Sequence, residues 1–269
     1  MNAYVLHGIL DYKFEEIEKP VAQPGEVLLK VQAAGICGSD IPRIYKTGAY
    51  HHPMTPGHEF SGTVESVGEG VLPEKIGKRY GIFPLIPCKE CLPCRKKQYE
   101  MCKNYNYLGS RTDGGFAEYV RVPEWNLIEL PANVSYEQAA MLEPMAVAVH
   151  AIRKGGLLSR TGAERTGDAN TKIAVVGLGT IGLFVVMFLK GMGYQNIHVA
   201  GNKDFQQKMA EQLGVDSNHY CDIKTNNPQT WIMEKTDDEG VDVFFECVGK
   251  KEVLTQGIES VSPGRVKMS

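Results

Sequence analysis

The spacing of apolar positions changes character near residue 171. Up to about residue 134 the apolar residues alternate or form short runs, as in MNAYVLHG, EVLLKVQAAG, GHEFSGTVESVGEGV, KRYGIFPLI, FAEYVRV and NLIEL. Such runs, parted by turn signals at Pro20 to Gly25 and Asp113-Gly114-Gly115, predict short strands in a small β-barrel-like domain. Ser135, with Glu137 and Gln138 in the following turn, starts a helix, and a proline-started run over 145–152 continues as another. Residues 153–171 are glycine-rich and polar and predict a linker.

Beyond it the segments alternate between buried strands and longer amphipathic runs. KIAVVG, NIHVAGN, HYCDI, VDVFFECVG and GRVKMS read as strands, and IGLFVVMFLKGMG, KDFQQKMAEQLG, PQTWIMEKT and KEVLTQGIES as helices. That order specifies a doubly wound parallel sheet over 172–269, after a first domain over 1–152, so the chain is of the α/β class. Between the first strand and its helix lies Gly177-x-Gly179-x-x-Gly182, enclosing Thr180 and Ile181. In that context the first glycine makes the turn and the second lets backbone approach a pyrophosphate. The third packs helix on sheet, and a dinucleotide is expected. A carboxylate at the end of the second strand would select a free ribose 2′-hydroxyl. The chain reads Gly201-Asn202-Lys203 there, which fits a 2′-phosphate and NADP, while Asp204 just beyond keeps NAD as the alternative.

Composition narrows the class. The chain has 269 residues, 43% hydrophobic and 23% charged, with a net charge of −3. These are globular values, and the absence of a basic stripe argues against a nucleic-acid partner. Met1 to Leu10 lacks a basic start and a long apolar run, so a cytoplasmic compartment is expected. The apolar stretch Ile173 to Leu189 is bracketed by Lys172 and Lys190 and interrupted by glycines, so no membrane span is expected.

The seven cysteines are unevenly placed. Cys88, Cys91 and Cys94 stand at intervals of three, with Cys102 eight residues on. Four thiolates so spaced close a tetrahedron and leave no open position, which predicts a structural zinc; a disulfide knot is the alternative in an oxidising compartment. Arg95, Lys96 and Lys97 read as solvated loop surface. A second group begins at Cys37, with His58 and Glu59 after an interval of twenty residues. Thiolate, imidazole and carboxylate suit a zinc that keeps a position open for chemistry, but two unrelated core residues give the same pattern. Glu143 precedes Pro144 in apolar surroundings, either as a buried carboxylate needing a partner or as an N-terminal helix charge.

GICGSD, GHEFSG, the four-cysteine spacing, DGGFAEY, LEP and GLGTIG, in this order along the whole chain, resemble the zinc-dependent medium-chain alcohol dehydrogenases. CGSDIPRIYKTGAYHHPMTPGHEFSG and GSRTDGGFAEY look most like the polyol and polyol-phosphate branch. The resemblance implies a GroES-like catalytic domain followed by a Rossmann domain. It implies hydride transfer between NAD(P) and a polyol, sorbitol- or xylitol-like, or a polyol phosphate such as galactitol 1-phosphate. Cys37, His58 and Glu143 would hold a catalytic zinc, with Glu59 as a supporting or alternating ligand. Ser39 would take the proton of the substrate hydroxyl, and Asp40 would orient a ligand. Cys247 would lie at the cofactor crevice, and its thiol, like that of Cys221, is expected to serve packing and not chemistry. Arg43, Lys46 and Arg111 are candidates for a substrate phosphate, or else ordinary surface cations.

Two departures qualify these expectations. Pro42 stands where some relatives carry a relay histidine, so a proton leaving Ser39 would pass to water or the cofactor ribose. The chain stops at GRVKMS, where a fifth strand would begin, and so reads as shortened at its C-terminus. A homo-oligomer is expected of the intact fold. A non-catalytic relative that keeps zinc and nucleotide is the alternative to an enzyme.

Overall fold

A computed structural model describes residues 1–159, 161 and 164–263. The chain divides into two compact units, Met1–Glu143 and Pro144–Ser269. In the first, β1 (Asn2–Gly8) and β2 (Asp11–Glu16) form an antiparallel pair. The main sheet is built from β3 (Glu26–Gly35), β4 (Glu59–Val67) and β5 (Arg79–Ile82), with β6 (Leu85–Ile86) and β7 (Asn106–Tyr107) pairing separately. β8 (Tyr119–Pro123) and β9 (Leu127–Glu129) complete it, in the antiparallel order β8-β3-β4-β5-β9.

Alternation explains the core. Val27 and Leu29, Tyr80 and Ile82, and Val120 and Val122 stand two apart on their strands, so each pair faces the same side and packs on Phe60 and Val64. Two short helices, α1 (Asp40–Pro42) and α2 (Leu92–Arg95), interrupt the connections. α3 (Tyr136–Ala140) starts where the sequence predicts. Ser135 accepts the Gln138 amide at 3.2 Å, and the Gln138 side chain accepts the Ser135 amide at 2.9 Å.

Helix α4 (Leu142–Lys154) contains the boundary between the units. The sequence placed residues through 152 in the first domain, but Ala148 and Ile152 are fully buried in the core of the second. The segment read as a linker also contributes: Leu157 and Leu158 are buried in that core, and Leu158 bridges Arg165. Residues 160, 162 and 163 of that segment, and the strand expected over 264–269, lie outside the described residues.

The second unit alternates β10 (Ile173–Val176), α5 (Thr180–Gly191), β11 (Ile197–Gly201), α6 (Asp204–Gln212), β12 (Tyr220–Asp222), α7 (Pro228–Lys235), β13 (Val243–Glu246) and α8 (Lys251–Ser260). The sheet is parallel in the order β12-β11-β10-β13. Both faces are covered, so β10 is buried at every position, as a near-continuous apolar run requires. Among the described residues no helix is long and apolar enough to cross a membrane.

His198 breaks the apolar rule in β11. It is buried with neither ring nitrogen partnered, against His219 and the edge of Trp231. Burial, with His219, Lys235 and Lys172 nearby, pushes its pKa down to about 4 from 6.5. The unfolded chain therefore binds this proton from about pH 6.5 downward, while the folded chain resists until about pH 4. Stability should fall across that window by up to about 3 kcal/mol and level off below it. Denaturant midpoints between pH 7 and pH 4 measure the slope, which His198→Phe should flatten.

Candidate active site and metal centres

The register of two strands assembles the first metal group. Gly35, last in β3, pairs with Glu59, first in β4. Cys37 just beyond one strand therefore meets His58 just before the other, despite the residues between. A Cβ on Gly35 would run into the Glu59 carboxylate, so glycine lets that side chain turn toward Cys37. The approach to His58 is braced by the Asp113-Gly114-Gly115 turn. Asp113 accepts the Thr55 amide at 2.9 Å, and the amides of Gly114 and Gly115 donate to the carbonyls of Thr55 and Gly57 at 2.8 Å.

One donor atom each from Cys37, His58 and Glu59 lies within 4.8 Å of the others. Burial pushes the Cys37 thiol up, against donation from Ser39, and pushes the Glu59 carboxyl up, against the pull of His58. A cation at their centre removes that penalty by offsetting the charge of the thiolate and carboxylate, so the donor set fits zinc. Ser39 donates its hydroxyl to the Cys37 sulfur at 3.3 Å. Asp40, fully buried, accepts the Cys37 amide at 3.1 Å and lies 3.6 Å from Nδ1 of His58. Nε2 of His58 is thus left as the donor toward a metal.

Glu143 is not in this group. Its carboxylate accepts the Tyr107 hydroxyl at 2.9 Å. Tyr107 stands edge-on to His58, and burial with Glu143 alongside pushes its phenol upward, so it remains a donor. Sequence reasoning missed Tyr107, since a lone tyrosine in a two-residue strand carries no pattern.

A cavity of about 450 Å³ opens here, lined among others by Ser39, Arg43, His58, Glu100, Tyr105 and Tyr107. Arg43 reaches it with its guanidinium paired to Asp40 at 2.6 Å. Arg111 is clamped between the rings of Tyr50 and Tyr105, 4.3 Å from each centroid. Lys46 is exposed and does not line the cavity. The three proposed phosphate holders therefore do not converge.

The second group is compact. The sulfurs of Cys88, Cys91, Cys94 and Cys102 all lie within 4.8 Å of one another, and four of their pairs are separated by 3.4 to 3.9 Å. A tetrahedral zinc with bonds of about 2.3 Å sets its sulfurs about 3.8 Å apart, so the quartet fits zinc. Backbone amides of Lys103 and Cys94 donate to Cys91 and pull its thiol down to about 6, readying the thiolate.

In the second unit the glycine turn has the geometry of an anion cradle. Gly177 has φ of +100°, and a Cβ there would meet Val248 and the Cys247 backbone. Gly179 is the exposed N-cap of α5 with open space where a side chain would go, and no side chain caps it. Amides at the start of α5, near Thr180 and Ile181, are left for an anion, so the site fits a pyrophosphate. A Cβ on Gly182 would strike the Gly177 carbonyl. Gly182→Val should thus weaken binding of reduced cofactor at least ~10-fold, or ~1.4 kcal/mol, with zinc content unchanged; fluorescence titration measures it.

After Gly201, Asn202 and Lys203 are exposed, the Asn202 amide donating to Gln206 at 3.0 Å. The Asp204 carboxylate pairs with Lys224 at 3.4 Å. Burial pushes the thiol of Cys247, beside the turn, up to about 12 and that of Cys221 up to about 11, so both pack as neutral groups.

Comparison with known proteins agrees with both halves. The family model for the alcohol dehydrogenase GroES-like domain matches residues 23–132, and that for zinc-binding dehydrogenase matches residues 180–266. Galactitol 1-phosphate 5-dehydrogenase of Escherichia coli (strain K12) is 35% identical over 250 residues, 93% of this chain and 68% of the relative. (R,R)-butanediol dehydrogenase of Bacillus subtilis (strain 168) is 38% identical over 278 residues, 97% of this chain and 75% of the relative. The crystal structure of galactitol-1-phosphate dehydrogenase from Escherichia coli superposes with a TM-score of 0.85 at 29% identity, covering 98% of this chain and 73% of that one.

Proposed function

This chain belongs to the polyol branch of the zinc-dependent medium-chain alcohol dehydrogenases, and we propose that it transfers a hydride between a secondary alcohol of a polyol or polyol phosphate and NAD(P). The observation that carries the reading is the meeting of Cys37, His58 and Glu59 beside a cavity that His58 and Ser39 line. When bound, zinc at these donors supplies Lewis acidity to the substrate oxygen, and the nicotinamide supplies the hydride acceptor.

The chain's own residues do the rest. Ser39 lines the cavity with its hydroxyl at the Cys37 sulfur, and it relays: as its oxygen accepts the proton of the substrate hydroxyl, its own proton turns from the sulfur and passes out. Pro42 has no group to take that proton, so it goes to water. Asp40 holds the His58 ring and the Cys37 amide in orientation. Tyr107 tethers Glu143 nearby, as a carboxylate able to take the place of Glu59. Phe83 and Leu85 give the cavity an apolar wall against which the carbon skeleton packs. Cys88, Cys91, Cys94 and Cys102 would hold the structural zinc.

An unphosphorylated polyol is the second reading of the substrate. It is favoured by the pairing of Arg43 with Asp40 and by Glu100 in the lining, which repels an anion. On the cofactor side the proposal extends to NADP, supported by Asn202 and Lys203 and by the engagement of Asp204 with Lys224. Solved relatives hold NADP in one case and NADH in another. The reading also takes the protein as a cytoplasmic homo-oligomer. A panel of polyols and their phosphates, run with each coenzyme, tests the proposal. Reduced coenzyme should form with at least one of them, and zinc-loaded protein that turns over none would refute it.

A further inference from the structure

We propose that Arg43 is a positioning residue for the catalytic metal donors, acting through Asp40, and that it does not serve a substrate phosphate. The proposal rests on reading Cys37, His58 and Glu59 as those donors. Asp40 sits at a junction. Its Oδ2 accepts the Cys37 amide, while its Oδ1 accepts Nη1 of Arg43 at 2.6 Å and stands 3.6 Å from Nδ1 of His58. The carboxylate is fully buried, and Nδ1 of His58 is buried with no partner at hydrogen-bond distance. The carboxylate's plane therefore decides where both donors point.

Arg43 is what holds that plane. The helical turn Asp40–Pro42 continues into a wider turn over Arg43–Thr47, with the Arg43 amide donating to the Ser39 carbonyl at 3.4 Å. Residues three apart on such a turn face each other, so the guanidinium folds back onto Asp40 and keeps only 14% of its side chain exposed. The bond is charge-assisted and made to a carboxylate with no access to water, the setting in which loss of one partner costs most. Without Arg43 the carboxylate must find other donors, and the Cys37 amide and His58 ring lose their common reference.

The test uses the whole protein and counts bound zinc while a chelator competes for it. Arg43→Gln should weaken zinc retention at the Cys37 group by about 10- to 100-fold, the range set by loss of groups that orient metal ligands. The four-cysteine site should be unaffected and serves as the internal reference. Arg43→Lys, which keeps the charge without the fork, should recover part of the loss. In an Asp40→Asn background, Arg43→Gln should add less than about 3-fold, as expected for residues acting as one unit. After zinc is restored in excess, any remaining loss in Arg43→Gln should fall equally on an unphosphorylated polyol and on its phosphate ester, leaving the ratio of their kcat/KM values unchanged.

Wild-type retention in Arg43→Gln, with turnover of phosphate esters selectively lost, overturns the proposal and returns Arg43 to the substrate. A loss undiminished by Asp40→Asn also overturns it. Should Arg43→Gln fail to fold, Arg43→Lys and Asp40→Asn decide: full retention by both overturns the proposal, and weakened retention supports it. An unaltered chain that holds only the four-cysteine zinc removes the donor set itself, a separate failure that takes the proposal with it.

Discussion

His58→Ala should lower kcat/KM by at least ~10³-fold and leave one zinc per chain where the unaltered protein should hold two. Nδ1 of His58 faces Asp40 at 3.6 Å, which commits the other ring nitrogen to the donor group it shares with Cys37 and Glu59. Alanine removes that nitrogen, and Glu143, the carboxylate that Tyr107 holds nearby, can stand in for Glu59 but does not restore a neutral nitrogen donor. Lewis-acid stabilisation is worth several kcal/mol at the developing charge, and ~4 kcal/mol corresponds to three decades in rate. His51→Ala provides the contrast. That histidine is exposed, bonded to the carbonyls of Pro53 and Arg111, and its loss should leave both zinc content and turnover close to normal. Steady-state kinetics with metal analysis on the same preparations decide the matter. Two retained zinc ions with near-normal turnover in His58→Ala would remove the candidate site.

What could be read from the residues depended on how local the determining geometry is. The cysteine quartet is legible because short sequence intervals limit how far its sulfurs can separate, and the sulfurs do converge. The Gly177 turn is legible for the same reason, lying between an apolar strand and an apolar helix. That Glu59 meets Cys37 and His58 needed the register of β3 on β4, a long-range pairing that no local pattern reports. Arginine by residue type suggested phosphate for Arg43, and Asp40 three residues earlier was the readable clue to the ion pair it makes. Leu157 and Leu158 were hidden among glycines and polar residues, where a two-residue apolar pair gives no periodicity. Helix α4 was misassigned because one continuous apolar run crosses the boundary between units, and only its contacts show which core it serves.

Cys102→Ser should release the other zinc and unfold the loop over 88–102 while much of the first unit's sheet persists. Little else holds that loop. Its regular structure is a four-residue helix at Leu92–Arg95 and a single turn at Tyr99–Met101, and among residues 91–102 only Cys94 and Cys102 are buried. Its folding energy therefore comes mainly from metal binding, which supplies roughly 10–16 kcal/mol in small zinc-folded peptides. Serine keeps the size of cysteine but binds zinc far less well at neutral pH, so the quartet loses its fourth thiolate. Trp125 offers a direct readout. Its ring meets Tyr99 of the loop edge-on at 5.2 Å, and the Lys89 ammonium lies 5.4 Å from its centre. The chain has two tryptophans, so a Trp231→Phe background leaves Trp125 as the sole reporter. Its emission should shift toward that of solvent-exposed indole in Cys102→Ser, and the loop should become a preferred site of proteolysis. Strong chelation of the unaltered protein should give the same shift, reversed by added zinc. Arg95→Ala in the same loop should give none, because its side chain carries no ligand atom for the quartet. Emission unchanged by both the substitution and the chelator would mean that the loop is held by something other than zinc.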